Sequence, residues 1–308
     1  MPEAPAPAIE LAILGGSGFY EMPGLGDVEE RAVETPFGAP SDSIRIGMLE
    51  GRRVAFLARH GRQHSILPGE LPQRANIWAL KSLGVRTVLA VSAVGSLRED
   101  YAPGDMVVPD QLIDRTRGPR PATFFGQGVV AHVAFAEPFC SALRAAALQA
   151  ATATGMPVHN GGSYVVIEGP AFGTRAESVL YRSWGASVVG MTAIPEAKLA
   201  REAELCYAVL AAVTDYDAWH ADHDAVDAQA VFELLQQNAA AGREVVRQLV
   251  QALPLPGRCP CGTSLDAGLV TNPGAIDDAS FERLRPILER RLGRARSGTG
   301  NNSGVTAE

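Results

Sequence analysis

Two aspartates, one residue apart, end a long apolar run in the segment "VTDYDAWH". Asp215 and Asp217 follow "CYAVLAAVT", a pattern typical of a buried β-strand. In an extended chain, side chains two residues apart project from the same side, so the two carboxyl groups should lie together. Such a pair can bind a metal ion, exchange protons with a substrate, or accept hydrogen bonds from an amine. The following "HADHDAVD" is more typical of a polar loop before a helix than of metal ligands, which disfavours the first of these functions.

A second group of polar residues could bind an anion. Arg59 and His60 directly follow another apolar run, in "LARHGRQH", with His64 nearby, so several donors can meet one phosphate or carboxylate. The glycine-rich turn "GGSG" adds backbone N–H groups and the hydroxyl of Ser17. This turn lacks both the dinucleotide fingerprint and the lysine of a P-loop, which disfavours a nucleoside diphosphate.

Small and hydroxyl-bearing residues end two further apolar runs. Ser92 and Ala93 lie in "VSAVGS", and Met191 and Thr192 lie in "GMT". They suit close approach of the backbone to an anion and a sugar, although tight packing, or a helix N-cap at Thr192, would explain them as well. Open α/β sheets bind ligands at the carboxyl ends of their strands, so we expect all these groups to converge on one site.

The elements that must position these residues alternate between strand and helix. Ile9–Leu14 is predicted to be a buried strand, and Ile44–Leu49 with Val54–Ala58 a hairpin. Helices are predicted in "QRANIWALKSLG", "EPFCSALRAAALQAATATG", "TRAESVLYRSWG" and "IPEAKLAREAEL", with buried strands between them, and then in a long stretch from Asp227 and in "SFERLRPILERRLG". The pattern predicts an α/β fold: a single domain over residues 1–293, with a mixed, mostly parallel sheet flanked by helices. The polar residues 294–308 are predicted to be a disordered tail.

Composition excludes several classes of protein. A chain of 308 residues, 46% of them hydrophobic, can bury a substantial core, and its net charge of −7 disfavours a nucleic-acid partner. It begins without the basic segment of a signal peptide, and no apolar run approaches the roughly 20 residues that span a bilayer. We therefore expect a cytoplasmic location and no membrane partner.

The cysteines are expected to be reduced, structural thiols. They are Cys140, Cys206, Cys259 and Cys261. The "CPC" segment is too tight for the usual C-x2-C half of a zinc site, and no second pair follows it. The sequence therefore predicts a loop there and no metal.

Several blocks, in order from about Ile13 to Trp219, resemble the S-methyl-5′-thioadenosine phosphorylases. They are "GGSGFY", "TPFGAPSD", "ARHGRQHSILP", "ANIWALKSLG", "GSLREDYAPGDMVVPDQLIDRT", "AEPFC", "VIEGPAFGTRAES", "GMTAIPEAKLARE" and "VTDYDAW". The family belongs to the trimeric purine nucleoside phosphorylases, so the resemblance implies a single α/β domain and a homotrimer. It also implies phosphorolysis of 5′-methylthioadenosine to adenine and 5-methylthioribose 1-phosphate. Inorganic phosphate would be a co-substrate, with no metal or organic cofactor.

The resemblance also implies a role for each candidate residue. Phosphate would contact Ser17, Arg59, His60, Ser92, Ala93 and Thr192. The nucleoside would contact Phe172, which stacks on the purine, and Gly173, Met191, His64, His132, Ala228 and Val231. Asp215 and Asp217 would be the catalytic pair that contacts the base. His132 would reach the 5′ pocket of a neighbouring subunit.

An acid pair suits an adenine leaving group. Adenine carries a 6-amino donor, and its N7 gains negative charge as the glycosidic bond breaks, so one carboxylate can accept from the amine while a protonated carboxyl donates to N7. Repulsion between two close acids helps to hold one proton on the pair near neutral pH. A 6-oxopurine presents an acceptor at that edge and is better matched by an asparagine. Asp215 therefore predicts a preference for 6-aminopurines.

Three positions depart from the family pattern. Ala171 and Gly173 stand in "EGPAFG", where the family usually has "EGPRFS", so an arginine and a hydroxyl near the purine are missing. We expect a looser or more hydrated base pocket. Ala228 stands where a larger aliphatic residue is common, and more room there suits other 5′ groups. Phosphorolysis of other 5′-deoxy- or 5′-halo-5′-deoxyadenosines, or of purine nucleosides more broadly, is the alternative function.

Three further functions are open at this point. A nucleosidase would attack the same substrate with water, but the predicted anion site disfavours it. A histidine phosphatase would share the Arg-His-Gly triplet, although in that family the triplet belongs to the first strand. A non-catalytic nucleoside-binding protein would have little reason to combine an acid pair, anion donors and an aromatic stacker in one site.

Overall fold

The computed structural model describes residues 8–16, 22–220, 228–255 and 259–293. Ser17 lies outside the described residues, as does the predicted tail at 294–308. The side chains of Ala228 and Val231 also lie outside them, although the backbone of both belongs to a helix. The assignment of residues 1–293 to one domain stays a prediction.

One sheet contains the eleven strands of the described chain. They are β1 (Leu11–Gly15), β2 (Gly26–Arg31), β3 (Ile44–Leu49), β4 (Arg52–Ala58), β5 (Thr87–Ser96), β6 (Met106–Val108), β7 (Gln111–Arg115), β8 (Val158–Asn160), β9 (Ser163–Ile167), β10 (Ala186–Gly190) and β11 (Cys206–Asp215). Six of the strand pairings are parallel and four are antiparallel. The predicted mixed, mostly parallel sheet is therefore confirmed.

Seven α-helices occur in the same described ranges. They are α1 (Gln73–Ser82), α2 (Ser141–Ala153), α3 (Arg175–Ser183), α4 (Ala193–Glu202), α5 (Ala228–Gln251), α6 (Ser264–Gly268) and α7 (Asp278–Leu292). Local chemistry sets their ends: α3 begins with a capping box between Thr174 and Glu177, and α7 ends at Gly293, whose φ of +62° disfavours other residues. No helix in the described part of the chain is long and apolar enough to cross a membrane.

Helices cover both faces of the sheet, and alternate residues of each strand face opposite sides. In β1, Ala12 and Leu14 belong to the apolar cluster that includes side chains of α1, α4 and α7. Leu11 and Ile13 belong to a second cluster, which includes side chains of α2 and α5. Burying one large aliphatic side chain stabilises the fold by about 1.5–3 kcal/mol. Because these strands are buried on both faces, their sequences are continuous apolar runs.

The two longest strands, β5 and β11, lie side by side in the middle of the sheet. They pair in parallel from Thr87 and Cys206 at one end to Gly95 and Asp215 at the other. Their apolar side chains anchor both strands in the core, so the residues at their ends are held in fixed positions. This pair places the acidic segment next to the "SAVGS" segment.

The strands and helices predicted from the sequence are present, with ends shifted by a few residues. The strands β2, β6, β7 and β8 were not predicted. β6 and β8 have three residues each, which is too short for a periodic pattern. β2 reads "GDVEER" and is largely exposed at the edge of the sheet, where charged residues protect against pairing with another chain.

Candidate active site

A cavity of about 260 Å³ opens where strands β4, β9, β10 and β11 end. Ten of the candidate residues line it: Arg59, His60, His64, Ser92, Ala93, Phe172, Met191, Thr192, Asp215 and Asp217. They come from segments far apart in the sequence, so the fold brings them together as the strand-end argument predicts.

The other candidate residues lie elsewhere. Gly173 follows the cavity residue Phe172, and a Cβ there would have no neighbour closer than 4.0 Å, to side-chain oxygens of Glu177 and Ser178. His132 is exposed, and its backbone N–H donates to the Gly268 carbonyl at 2.8 Å. It does not line the cavity of its own chain.

The acid pair is arranged differently from the prediction. β11 ends at Asp215, and Asp217 has a φ of +50° at the start of a 3-10 turn, so the expectation of one extended segment is wrong. The physical reason is local: the Asp217 N–H donates to Asp215 Oδ1 at 2.7 Å, which turns the backbone as aspartates often do. The two carboxyl groups nevertheless face the same cavity.

Hydroxyl groups hold both carboxyl groups in place. Thr214 Oγ1 donates to Asp215 Oδ2 at 2.8 Å, and Ser178 Oγ donates to Asp217 Oδ2 in a short hydrogen bond. Burial raises the pKa of both aspartates, and the charge of Asp215 raises the pKa of Asp217 further. The pair therefore retains a proton more readily than two exposed carboxyl groups would.

Gly95, on the neighbouring strand, leaves the space that the acids occupy. A Cβ at this position would lie 2.9 Å from Asp215 Oδ1 and 3.1 Å from Asp217 Cβ. Because the acids are fixed by Thr214 and Ser178, a larger residue could be accommodated only by displacing them. This close approach explains the glycine in "SAVGS".

Arg59 is buried and mostly engaged by the protein. Its Nε and Nη2 donate to the Glu196 carboxylate at 2.9 and 3.1 Å, and Nη2 and Nη1 also donate to the carbonyls of Leu14 and Val91. A guanidinium has five N–H donors, so one on Nη1 remains for a ligand. Burial acts to lower the pKa of Arg59, but Glu196 more than offsets this effect and the pKa is raised. Arg59 therefore keeps its charge at the cavity wall.

His60 presents a hydrogen-bond acceptor to the cavity. Its Nδ1 lies 2.8 Å from the Ile66 carbonyl, which only accepts, so the proton is on Nδ1 and Nε2 has a free lone pair. Burial, together with the charge of Arg59, lowers the pKa of His60 to about 4. The ring also stacks on His64, with centroids 4.5 Å apart. A neutral His60 can accept a hydrogen bond from a protonated phosphate oxygen.

The hydroxyls of Ser92 and Thr192 meet at the cavity wall, 3.3 Å apart. Behind them lies Tyr164, which is fully buried and whose hydroxyl is close to both. Among the described residues, the Tyr164 hydroxyl has no hydrogen-bond partner with good distance and angles. Burial raises the pKa of Tyr164 to about 12, so the hydroxyl keeps its proton. It is therefore available to donate to the two smaller hydroxyls, which in turn can donate to an anion.

Known proteins match the chain over most of its length. The sequence model of the Phosphorylase superfamily matches residues 10–253. S-methyl-5′-thioadenosine phosphorylase of Chloroflexus aurantiacus is 56% identical over 280 residues, which cover 91% of this chain and 97% of that protein. The enzyme of the same name from Geobacter sulfurreducens is 52% identical over 278 residues, or 90% and 97%. The chain belongs to the S-methyl-5′-thioadenosine phosphorylase family.

Solved structures of this family have the same fold. A methylthioadenosine phosphorylase from an antarctic soil metagenomic library superposes with a TM-score of 0.87 at 46% identity, over 91% of this chain and 99% of that chain. The methylthioadenosine phosphorylase of Schistosoma mansoni in complex with adenine has a TM-score of 0.76 at 39% identity, over 80% and 92%. The predicted family resemblance is therefore confirmed, and the histidine phosphatase alternative is not supported.

Two residues that support the cavity were not predicted from the sequence. Glu196 lies in the quoted block "GMTAIPEAKLARE", and the only signal was an acid in the first turn of a helix that follows a predicted anion ligand. Arg120 lies in a loop with no periodic pattern, yet its guanidinium bonds Glu168 Oε1 at 2.8 Å and the Met191 carbonyl at 2.7 Å. Both act on the cavity through a neighbour, which a single sequence does not reveal.

We expect His60 to make the fold less stable in mild acid. The pKa of His60 in the folded chain, about 4, lies below the ordinary value of 6.5, so only the unfolded chain gains this proton as the pH falls from about 6.5 to about 4. The free energy of unfolding should fall by on the order of 3 kcal/mol over this range. Urea unfolding of the wild type and of His60→Gln, in phosphate-free buffer, measures the difference. Parallel pH profiles for the two proteins would show that His60 is not the group responsible.

Proposed function

We propose that the chain catalyses the phosphorolysis of 5′-methylthioadenosine to adenine and 5-methylthioribose 1-phosphate, as a pentosyltransferase. The observation that carries this proposal is the single cavity lined both by a buried acid pair and by anion donors. A nucleoside phosphorylase needs both groups, because the leaving base and the attacking phosphate lie on opposite sides of one carbon atom.

Inorganic phosphate is the co-substrate in this proposal. The groups that could bind it are the free Nη1 donor of Arg59, the Nε2 acceptor of His60, the hydroxyls of Ser92 and Thr192, and the backbone at Ala93. This set combines donors with one acceptor, which matches a phosphate that carries a proton on one oxygen. Ser17 remains a predicted ligand outside the described residues.

The acids act on the base. Phosphate oxygen attacks C1′ as the C1′–N9 bond breaks, and the bonding electron pair moves into the purine. The proton held by Asp215 and Asp217 stabilises the developing charge at N7, and a carboxylate oxygen accepts from the 6-amino group. Asp215 accepts from Thr214 and from the Asp217 N–H with its two oxygens, whereas Ser178 donates to only one oxygen of Asp217, so Asp217 is the acid more open to the base. Phe172, 41% exposed at the cavity, would cover the purine once the nucleoside is bound.

A different 5′ substituent is the alternative substrate feature, because Ala228 is smaller than the aliphatic residue that is common at this position. The open space at Gly173 supports a base pocket with room for water or for a modified purine. A nucleosidase would need no phosphate, and the charged Arg59 at the cavity wall argues for an anionic nucleophile instead.

The decisive experiment measures free base released from 5′-methylthioadenosine, adenosine, 5′-deoxyadenosine and inosine, each with and without phosphate. We expect adenine release that requires phosphate and is fastest with 5′-methylthioadenosine. Equal release without phosphate would identify a nucleosidase, and faster release of hypoxanthine would contradict the assignment of the acids. A preference for 5′-deoxyadenosine would keep the reaction and change the substrate.

We also propose a homotrimer in which His132 completes the site of a neighbour. Two separate apolar surfaces support it. One is formed by Val179 and Leu180 of α3 and by Trp184, which follows that helix, all of them exposed. The other surrounds His132, where the exposed residues Val130 and Val270 are joined by a backbone hydrogen bond. Contact between two different surfaces is the kind that closes into a ring.

A cytoplasmic location is part of the same proposal. All four cysteines are free thiols in the structure, which fits a reducing compartment.

A further inference from the structure

The four cysteines, which are scattered in the sequence, meet at one point of the fold. Cys140 precedes α2, Cys206 begins β11, and Cys259 and Cys261 lie at a 3-10 turn after α5. Their Sγ atoms all lie within 4.8 Å of one another. In the sequence only the "CPC" segment brings two cysteines close together, whereas the fold supplies the second pair of thiols from two other elements.

The spacing of the sulfur atoms matches a tetrahedral metal site. A zinc ion bound at about 2.3 Å by four thiolates holds their sulfur atoms about 3.8 Å apart. In the structure, the Cys206 and Cys259 sulfur atoms lie 3.2 Å apart and no pair of the four lies more than 4.8 Å apart, which is compatible with this value. A disulfide would require about 2.05 Å, and all four cysteines are free.

The surroundings fix the thiols before any ion binds. Cys140 and Cys261 are 2% exposed and belong to the apolar cluster between the sheet and helices α2 and α5, and the other two cysteines pack against it. Hydrogen bonds between backbones hold two of the positions: Cys140 N–H donates to the Tyr207 carbonyl at 2.8 Å, and Cys206 N–H to the Arg86 carbonyl at 2.9 Å. Cys140 is the N-cap residue of α2, so its side chain lies at the N-terminus of that helix. A helix N-terminus favours negative charge, as a tetrathiolate site requires.

We propose that Cys140, Cys206, Cys259 and Cys261 bind one structural zinc ion. Four thiolates and no open position make this a closed site, so the ion would join elements rather than carry out chemistry. It would fasten the segment after α5 to the start of the central strand β11 and to α2. Binding releases the thiol protons and stabilises the folded chain, because no such site exists in the unfolded chain.

The zinc site lies far from the active site. Cys206 begins β11 and Asp215 ends it, so the two sites are separated by nine residues of extended strand, about 30 Å. No residue of the cluster lines the active-site cavity. This inference therefore stands or falls independently of the proposed phosphorylase function.

The first test measures the metal content of the full, untagged chain, purified with a thiol reductant and dialysed against a weak chelator. We expect elemental mass spectrometry to find about one zinc ion per chain. Replacing zinc with cobalt should give the intense visible and near-ultraviolet absorption of a tetrahedral cobalt thiolate, which a surface histidine site does not give. Intact mass should show four reduced cysteines after the metal is removed.

Variants assign the metal to the cluster. Cys261→Ser and Cys140→Ser should each reduce the bound zinc at least about tenfold and lower the Tm, because a three-thiolate site is incomplete. Thr263→Val, in the same turn, removes a hydroxyl that only bonds the Pro260 carbonyl, and should keep the metal. The phosphorolysis rate at a temperature where each variant is folded should match the wild type.

Three results would overturn the proposal. Metal-free protein with four titratable thiols would show that the cluster is only a group of buried cysteines. Metal-free protein with one or two disulfides would assign it to covalent cross-linking. Zinc that persists in both cysteine variants would place the ion elsewhere in the chain. If the serine variants fail to fold, the cobalt spectrum of the wild type still decides between these outcomes.

Discussion

Asp215→Asn should lower adenine release from 5′-methylthioadenosine by about 10²-fold or more, and should shift preference towards 6-oxopurines. The loss is expected because the pair can no longer share one proton between two carboxyl groups. An amide also offers a donor to the 6-position, which suits an oxygen there better than an amine. The ratio of kcat/KM for adenosine to that for inosine measures the change.

The variant should fold, so the loss can be read as a loss of chemistry. An asparagine oxygen can keep the bond from the Asp217 N–H, while the amide nitrogen donates to the Thr214 hydroxyl, which can also accept. Burial raises the pKa of Asp215, so removing this charge should leave the Tm unchanged or slightly raised at neutral pH. Asp110→Asn is a matched control, since that carboxylate also accepts a backbone N–H, from Gly162 at 3.0 Å, but lies away from the cavity.

The pH profile separates a catalytic effect from a structural one. The charge of Asp215 raises the pKa of Asp217, so its removal should lower the pKa of Asp217. The alkaline loss of activity, where the pair gives up its proton, should then begin at a lower pH in the variant. If the variant kept both the base preference and the alkaline side of the pH–activity profile of the wild type, Asp215 would not contact the base.

Glu196→Gln should destabilise the fold by about 3–5 kcal/mol, because it leaves a buried guanidinium without its counter-charge. The Arg59 and Glu196 side chains are 2% and 1% exposed, so water cannot replace the carboxylate. Glu196 Oε1 also accepts from the Tyr207 hydroxyl at 2.7 Å. We expect a fall in Tm on the order of 10 °C, measured by calorimetry in phosphate-free buffer.

Glu202→Gln is the matched control, since it neutralises a second buried carboxyl group of the same helix. Glu202 accepts from the Phe124 N–H and the Thr123 hydroxyl, both at 2.7 Å, and burial raises its pKa. With no cation left unpaired, the cost should be smaller. If both variants lose the same free energy of unfolding, the destabilisation by Glu196→Gln does not come from leaving Arg59 without a counter-charge.

Phosphate should restore part of the stability of Glu196→Gln. If Arg59 faces the phosphate, the bound anion supplies the charge that the variant lacks, so saturating phosphate should raise the Tm more in the variant than in the wild type. Equal increases would place phosphate away from Arg59, while leaving the structural role of Glu196 intact.

The sequence predicted the site better than it predicted how the site is supported. Strand ends converge in any open α/β sheet, so Arg59, Ser92, Thr192 and Asp215 could be assigned to one site from pattern alone. The turn at Asp217 could not be predicted in this way, because it depends on one hydrogen bond from the Asp217 N–H to the carboxylate of Asp215. Glu196 was missed for a similar reason: its importance comes from what it contacts in space.

The cysteines show the same limit on a larger scale. Cys206 and Cys259 are 53 positions apart, yet their sulfur atoms lie 3.2 Å apart. The spacing rules for metal ligands describe local pairs, and here only the "CPC" segment is local. The six longer helices and seven of the strands were predicted from their apolar patterns, whereas β6 and β8 are too short to show a pattern.

Gly95, which lines the cavity, and Gly173, which follows the cavity residue Phe172, differ in what they offer to protein engineering. At Gly95 a side chain would collide with the acids at 2.9 Å, so a mutant library that randomises this position should yield mostly inactive clones. At Gly173 the nearest atoms are 4.0 Å away and the backbone is compatible with any L-residue. Substitutions there can add a polar group beside the purine without moving the acids. Directed evolution towards nucleoside analogues with altered bases should therefore begin at Gly173.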